Sequence, residues 1–182
     1  MHHLSQSIWF PNPEETDKEG LLAIGGDLSV LDNFKVSKSL QKTIQKNKFT
    51  ITFNTCFEEV IKNCSQIKRE GQQGTWITSK MQEAYLKLHK IGHATSVEVW
   101  LEDELVGGLY GIDLIDKKVF CGESMFSNVS DASKVAFYYL VAQLKTKNYQ
   151  FIDCQMYTPH LERLGAIEIP RERFLKYLRQ EK

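Results

Sequence analysis

The sequence has no excess of either charge, since 23 lysines and arginines balance 23 aspartates and glutamates among 182 residues. A polyanionic partner would therefore have to bind a local basic patch, because the net charge of the molecule exerts no attraction. The sequence also lacks an apolar run long enough to span a membrane, and no basic stretch near Met1 leads into one. We therefore expect a cytoplasmic protein with no signal peptide and no membrane partner.

Cysteines are few, and their spacing is not that of a metal or redox site. The four cysteines include no Cys-x-x-Cys pair, and most have apolar neighbours, which is typical of thiols in a reducing compartment. His89 and His93 are spaced like a metal pair on a helix, but Gly92 ends the predicted helix between them and no third ligand follows. We interpret them as ordinary surface histidines and expect neither a metal nor a cofactor.

Repeats and low-complexity segments are also missing, and 42% hydrophobic with 25% charged residues is the composition of a globular domain. Residues 1–34 lack a regular pattern, because Pro11 and Pro13 exclude regular helix there. Gly25 and Gly26 close a short apolar run and favour a tight turn or a close backbone approach. A phosphate-binding loop is the alternative, although the usual lysine and glycine spacing is missing.

Residues 35–47 predict an amphipathic helix with one apolar and one basic face. The apolar face repeats every four residues, through Val36, Leu40 and Ile44. Lysines repeat with the same spacing two positions further on, which is roughly 200° around a helix, so they line the opposite face. These lysines are Lys38, Lys42 and Lys46. A lysine face without acidic residues is either simply solvated or a contact surface for phosphate groups.

The later part of the chain, residues 55–182, predicts an α+β domain preceded by a small N-terminal subdomain, residues 1–54. Alternating apolar residues over 96–126, interrupted by two charged turns, predict an antiparallel meander. Its glycines suggest bulges or close approach of another group to the backbone. A buried strand is expected at 149–154.

The helices of this domain are predicted from their caps and apolar faces. Capping boxes led by Thr55 and Ser79 each precede an apolar periodic segment. A helix that is apolar on most sides runs from a cap at Ser130 or Asp131 to Lys147, which is typical of a central helix packed on a sheet. Two further helices are expected, a short one ended by Gly165 and a basic one over residues 171–181.

Polar residues at predicted strand ends are the candidates for a functional site. Asp153 and Gln155 lie at the end of this predicted strand, and extended backbone points side chains two residues apart to the same side. Glu123 lies near the end of another predicted strand. The large apolar residues around them are Trp76, Phe120, Met125, Phe126 and Ile152. This combination predicts a pocket for a large apolar side chain beside an amine. The alternative is that the apolar residues are plain core, Asp153 caps a turn and Gln155 is solvated.

Other reaction classes have weaker support. Ser124 lies in a run that begins like a nucleophile elbow but lacks its closing glycine. Cys121 and Cys154 have no histidine nearby in sequence, and nothing supports pairing either of them with His160. The strand–helix–strand order resembles that of CoA-dependent acyltransferases, which bind pyrophosphate at a glycine-rich turn. Here the turn at residues 127–131 has no glycine and ends in an acidic cap.

Several runs spread over nearly the whole chain carry a family resemblance. They are GLLAIGGDLS at 20–29, GTWIT at 74–78, residues 93–110 with SVEVW at 96–100, FCGESMFS at 120–127, ASK at 132–134, IDCQ at 152–155, and LGA at 164–166 ahead of IPR at 169–171. On these residues the chain resembles the bacterial leucyl/phenylalanyl-tRNA–protein transferases.

The resemblance implies an enzyme that transfers leucine or phenylalanine, and also methionine, from aminoacyl-tRNA to the N-terminal Arg or Lys of a protein. The product is then degraded under the N-end rule. The resemblance also implies a fold like that of the GNAT acyltransferases with a small N-terminal domain, and a tRNA donor agrees with the missing CoA turn. We expect a monomer. The alternatives are a CoA-dependent N-acyltransferase of the GNAT type and an inactive module that binds tRNA or protein N-termini.

Matching positions carry the family's residue roles to this sequence. Asp153 and Gln155 correspond to the proposed catalytic pair, with Gln155 orienting the attacking α-amine and Asp153 holding it or accepting its proton. Glu123 corresponds to the contact with the donor's amino group. The implied pocket for Leu or Phe consists of Trp76, Phe120, Met125, Ile152 and Leu109, the last of which stands where methionine can occur. The lysine face of residues 35–47 corresponds to a basic helix that grips the tRNA acceptor stem.

The sequence departs from the family between Ser29 and Lys35. The family has a longer segment there, with a Gly-Ile-Phe-Pro-Trp run and a Trp pair that help to build the donor site. Here residues 30–34 lead almost directly into the basic helix. A molecule that lacks the segment is expected to have weak or no transferase activity, whereas an intact mass well above 21.0 kDa would show that the segment exists.

Overall fold

The computed structural model describes residues 21–25, 31, 34–67, 75–155 and 158–179. These ranges form a mixed sheet of seven strands with helices packed on it, so the expected α+β class is confirmed. The strands are β1 Leu21–Gly25, β2 Thr50–Phe53, β3 Ala94–Leu101, β4 Glu104–Leu114, β5 Val119–Ser127, β6 Phe151–Gln155 and β7 Ile167–Ile169. The helices are α1 Lys38–Gln45, α2 Phe57–Gln66, α3 Ser79–Lys90, α4 Ala132–Thr146, α5 Pro159–Arg163 and α6 Arg171–Arg179. No helix in the described ranges has the length and apolarity needed to cross a membrane.

The strands lie in the order β2-β3-β4-β5-β6-β1-β7. The predicted meander is confirmed, because β3, β4 and β5 pair antiparallel in sequence. The β5–β6 pair is parallel and the other neighbours are antiparallel. Helix α4 supplies the crossover that a parallel pair requires.

Strand β1 corrects the prediction that residues 1–34 are irregular. It pairs antiparallel with β6 on one side and with β7 on the other, and Ile24 lies opposite Ile152. A short apolar run carries no alternation that would distinguish an inserted strand from a loop. Within residues 1–34 only residues 21–25, 31 and 34 are described, so Gly26 lies outside the described residues.

The strands β1 and β2 both come from the predicted N-terminal subdomain, yet they belong to the same sheet as the strands of residues 55–182. Strand β2 forms one edge of this sheet and pairs with β3, while β1 lies inside the sheet beside β6. The division of the chain at residue 54 stays a prediction.

Helix α1 is shorter than the predicted span of 35–47. Ser37 caps it, since its Oγ accepts a hydrogen bond from the backbone N–H of Leu40 at 3.2 Å. Leu40 is buried as expected. Val36, predicted to lie on the apolar face of this helix, instead precedes the cap and is 36% exposed.

The predicted capping boxes are wrong by one residue. Helix α2 begins after Cys56 with no side-chain cap, and Thr55 instead donates its backbone N–H to Glu98 at 3.3 Å. Helix α3 is capped by Thr78, one residue before the predicted Ser79. A cap depends on the backbone angles of a single residue, and a sequence pattern locates such a boundary only to within a residue or two.

Two core layers cover the faces of the sheet. Helix α4 packs with Leu109 on one face, and α2 and α3 pack with its neighbour Tyr110 on the other. The start of α4 lies so close to β4 that a Cβ at Gly107 would be 2.5 Å from the Cβ of Ala132. This confirms that a glycine of the meander permits close approach.

Candidate functional site

A cavity of about 450 Å³ opens where β5 and β6 separate. In the described part of the chain the two strands pair over residues 119–121 and 151–153, and β5 then continues to Ser127. The gap between them receives side chains from both core layers. Its volume is in the usual range for small-ligand pockets.

Six of the residues predicted for the pocket line this cavity. They are Trp76, Leu109, Phe120, Glu123, Met125 and Ile152. Phe126, which the sequence also suggested for the pocket, does not line it: the side chain is 1% exposed and packs in the core layer of α2 and α3. Adjacent residues of a strand face opposite sides of the sheet. Because the side chain of Met125 faces the cavity, that of Phe126 faces the other side.

Sequence reasoning missed part of the wall. Phe137 and Leu140 of α4, together with Leu161 of α5, add apolar surface, and Thr158 and His160 add polar groups. The apolar character of α4 was visible in the sequence. Which of its turns would face a cavity was not, because that depends on how the helix crosses the sheet.

The polar end of the cavity consists of Glu123 and Gln155. The Nε2 of Gln155 donates a hydrogen bond to Oε1 of Glu123 at 3.3 Å. Glu123 lies at a bulge, since Tyr110 pairs with Ser124 and Gly111 pairs with Gly122, which leaves Glu123 without an opposite residue in β4. Bulges re-aim side chains and are common beside functional sites.

Asp153 does not line the cavity, although Gln155 does. Strand alternation would put both on the same side, but Gln155 has φ of 61°, which turns its side chain out of the strand pattern. The turn is held by Asp153, whose Oδ1 accepts the backbone N–H of Gln155 at 2.9 Å. The two residues are therefore together, with Asp153 behind Gln155 and 8% exposed.

Burial perturbs both carboxylates. It raises the pKa of Asp153 to about 6, although the hydrogen bond from the Gln155 backbone works in the opposite direction. Burial also raises the pKa of Glu123, against the hydrogen bond from the Gln155 side chain, and the nearby Asp153 charge adds to the increase. An ammonium group at this end of the cavity would favour the charged form of Glu123.

The Cys121 thiol is not activated as a nucleophile. Burial raises the pKa of the Cys121 thiol, and the charges of Asp153 and Glu123 raise it further, so the thiol stays protonated. The described residues contain no group of three or more His, Cys, Asp or Glu side chains arranged to hold a metal ion. Nδ1 of His89 lies 2.8 Å from the carbonyl oxygen of Ala94, and its ring stacks on Phe57.

The lysine face of α1 is exposed, with Lys38, Lys42 and Lys46 all in solvent. Helix α1 contacts the beginning of α4 through Thr43, whose Oγ1 donates a hydrogen bond to Oδ2 of Asp131 at 3.3 Å. The lysines are thus carried by a helix that is fixed to one wall of the cavity.

Together, the fold and the site define an α+β protein whose pocket suits an apolar side chain attached to an amino group. A carboxylate and a carboxamide close its polar end, and a basic helix lies on an adjoining element. These are the features of a protein that handles an apolar amino acid next to a polyanion.

Comparison with known proteins identifies the family. The family model for leucyl/phenylalanyl-tRNA protein transferase matches residues 28–179. The leucyl/phenylalanyl-tRNA–protein transferase of Flavobacterium psychrophilum is 48% identical, covering 99% of this chain and 100% of its own length. That of Pseudoalteromonas atlantica is 44% identical, covering 99% of this chain and 91% of its own. The chain belongs to the leucyl/phenylalanyl-tRNA–protein transferase family, which is a family of aminoacyltransferases.

The alignment is also longer than this chain. It runs over 213 positions with the Flavobacterium psychrophilum protein, whereas this chain has 182 residues, so at least 31 aligned positions have no residue here. The departure was predicted at residues 30–34, of which residues 30, 32 and 33 lie outside the described residues.

One solved structure with partial similarity is a conserved protein of unknown function from Bacteroides thetaiotaomicron. It aligns over 80% of this chain and 53% of its own, with a TM-score of 0.47 and 15% identity. A similarity of this size supports no conclusion about function.

Proposed function

We propose that the cavity binds the side chain of leucine or phenylalanine while that amino acid is esterified to its tRNA, and that Gln155 orients the amine that attacks the ester. The chain thereby transfers leucine or phenylalanine from aminoacyl-tRNA to the N-terminus of a protein. The observation that carries this proposal is the apolar cavity of about 450 Å³ closed at one end by Glu123 and Gln155.

The donor side of the reaction uses the apolar wall and Glu123. Burying a large apolar side chain contributes about 1.5–3 kcal/mol, which selects leucine and phenylalanine over polar amino acids. The α-ammonium of the donor pairs with the Glu123 carboxylate. Because that carboxylate is buried, the pairing is stronger than it would be in solvent.

The acceptor side uses Gln155. Its Nε2 already donates to Glu123, so its Oε1 can accept a hydrogen bond from the attacking amine. The amine nitrogen bonds to the ester carbonyl carbon, the bond from that carbon to the ribose oxygen breaks, and the proton lost by the amine goes to the ribose oxygen. An ester is already activated, so holding the two reactants in place supplies much of the rate.

Asp153 acts by positioning Gln155. Its carboxylate holds the backbone N–H of Gln155 and so supports a left-handed conformation that costs about 1–2 kcal/mol for a residue with a side chain. The same carboxylate, with a pKa of about 6, is charged at neutral pH and favours a nearby ammonium group.

Further parts of the proposal concern the acceptor and the setting. The acceptor begins with Arg or Lys, and the product enters N-end rule degradation. Lys38, Lys42 and Lys46 contact the acceptor stem of the tRNA. The protein works as a monomer in the cytoplasm, with a GNAT-like domain at residues 55–182.

A CoA-dependent acyltransfer is disfavoured by Asp131. This carboxylate stands at the start of α4, where a CoA pyrophosphate would bind, and two groups hold it there: Thr43, and Lys134 at 2.7 Å. A pyrophosphate that approached this position would be repelled by the ionised carboxylate of Asp131. Acetyl-CoA binding by calorimetry would contradict this.

The test is transfer of labelled phenylalanine from Phe-tRNA to a peptide that begins with Arg. A peptide beginning with Ala and an Arg peptide with an acetylated N-terminus should not react. Gln155→Ala should slow transfer at least tenfold, and the matched control Gln66→Ala, at the exposed end of α2, should not. A full rate for Gln155→Ala would remove Gln155 from the mechanism. No transfer by the wild-type protein, with an intact mass of 21.0 kDa, would favour an inactive binding module.

A further inference from the structure

Phe34 packs against the wall of the cavity without lining it. Its ring is half-buried, and the centroid of that ring is 5.6 Å from the centroid of the Phe137 ring, with the two planes tilted by 59°. Phe137 is 3% exposed and lines the cavity from α4, whereas Phe34 is not among the lining residues. Tilted aromatic rings at this separation are in favourable contact. Phe34 therefore supports a wall residue from outside the cavity.

The backbone around Phe34 is held by hydrogen bonds on both sides. The backbone N–H of Phe34 donates to the carbonyl of Leu31 at 3.2 Å, and Leu31 is fully buried. The next backbone N–H, that of Lys35, donates to the carbonyl of Leu164 at 2.8 Å, and Leu164 directly follows α5. The ring of Phe34 therefore cannot move away from Phe137 with its backbone unless these bonds break.

Phe34 also contacts the next residue of α4. Its ring centroid is 6.4 Å from that of Tyr138, so Phe34 lies against two consecutive side chains of this helix. The backbone of α4 is itself seated directly on the sheet, since a Cβ at Gly107 would be 2.5 Å from the Cβ of Ala132 at its start. The side chain of Phe137 is therefore the part of this wall that responds to what packs behind it.

We propose that Phe34 is a specificity-determining residue, which limits the size of the amino acid side chain that the cavity accepts by holding the Phe137 ring in the wall. The proposal rests on the function proposed above. Protein interiors are close-packed, so a wall side chain keeps its position only while the space behind it is filled. Without the Phe34 ring, the Phe137 ring gains space into which it can withdraw, and the cavity then admits a larger side chain such as that of tryptophan.

The experiment measures transfer by Phe34→Ala from one tRNA charged in turn with leucine, phenylalanine and tryptophan, so that the donors differ only in the amino acid. The ratio of kcat/KM for tryptophan to kcat/KM for leucine should rise about tenfold or more over wild type. The reason is that accommodating or excluding one methylene in an apolar pocket changes kcat/KM by about 10- to 200-fold. A purely structural role of Phe34 would instead lower transfer of all three amino acids by the same factor.

Three further variants show whether the effect passes through Phe137. Phe34→Tyr keeps the ring and should keep the wild-type ratio. Tyr177→Ala is the matched control, because Tyr177 is also half-buried and its ring centroid is 5.2 Å from that of Phe151, which does not line the cavity. This variant should leave the ratio unchanged. When Phe34→Ala is added to Phe137→Ala, the ratio should change no further, because the supported ring is already gone.

Two results would overturn the role of Phe34. One is an unchanged ratio in Phe34→Ala. The other is an equal rise in Tyr177→Ala, which would mean that any loosening of the protein relaxes its selectivity. If Phe34→Ala does not fold, Phe34→Leu is the smaller truncation for which the same direction of change is expected.

Direct binding separates this proposal from the proposed function, which fails if the wild-type protein transfers from none of the three donors. Phenethylamine and tryptamine both carry an ammonium group and differ in the size of their ring system. Phe34→Ala should improve the Kd of tryptamine relative to that of phenethylamine about tenfold. An unchanged Kd ratio, or a wild-type protein that binds neither amine, would refute the role of Phe34.

Discussion

The role of Asp153 leads to a prediction that separates positioning from charge. Its carboxylate lies outside the cavity and accepts the backbone N–H of Gln155 at 2.9 Å, which holds Gln155 at φ of 61°. Asp153→Ala removes this acceptor. Asp153→Asn removes the charge but keeps a carbonyl oxygen that can accept the same hydrogen bond.

The expected sizes follow from the hydrogen bond. A bond to a charged acceptor contributes about 1.5–3 kcal/mol, and each 1.36 kcal/mol corresponds to a factor of ten in rate. Asp153→Ala should therefore slow single-turnover transfer roughly ten- to a hundredfold, because Gln155 leaves its left-handed conformation. In Asp153→Asn a neutral bond of about 1 kcal/mol remains, so about 0.5–2 kcal/mol is lost and the rate should fall roughly two- to thirtyfold, less than in Asp153→Ala.

The assay is single-turnover transfer of labelled phenylalanine to an Arg peptide, with donor and acceptor both saturating. If Asp153→Asn is as slow as Asp153→Ala, the charge is essential and the positioning argument is wrong. If Asp153→Ala keeps the wild-type rate, Asp153 has no part in the reaction.

Asp153→Asn should also change how the free energy of unfolding depends on pH. The pKa of Asp153 rises from 3.8 to about 6 on folding, so the native state binds this proton more tightly than the unfolded state. The stabilisation of the native state by this proton is complete below pH 3.8 and is lost as the pH rises through about 6. The free energy of unfolding then falls by about 3 kcal/mol. Asp153→Asn should remove this loss. Urea unfolding should show the stability of Asp153→Asn rising relative to wild type between pH 4 and pH 7. A constant difference between the two proteins would refute the raised pKa of Asp153.

Three further predictions concern the rest of the site. Glu123→Gln should weaken donor binding about tenfold and reduce the loss of activity on acidification, since protonation of a carboxylate whose pKa burial has raised contributes to that loss; a pH–rate profile unchanged from wild type would contradict this. Leu109→Phe narrows the cavity and should lower transfer of phenylalanine more than of leucine, measured by competition between the two charged tRNAs. Lys38→Glu with Lys42→Glu should weaken tRNA binding and reduce its salt slope by about 1.8, and an unchanged slope would refute phosphate contact.

The sequence by itself determined the features that local patterns record. The alternation over 96–126 specified the meander, and the apolar sides of α4 specified a buried central helix, because side-chain periods of two and of 3.6 residues follow directly from backbone geometry. The repeat of Lys38, Lys42 and Lys46 specified an exposed lysine face for the same reason. The family motifs located part of the cavity wall, including Trp76, Phe120 and Met125.

The tertiary structure alone decided the details that depend on pairing partners distant in sequence. Strand β1 could not be predicted from the sequence, because its position between β6 and β7 is set by those strands and not by its own five residues. The bulge that directs the Glu123 side chain comes from the register between β5 and β4. The positive φ of Gln155 turns its side chain out of the strand pattern that Asp153 follows. Such contacts form between segments far apart in the chain, so no local pattern records them.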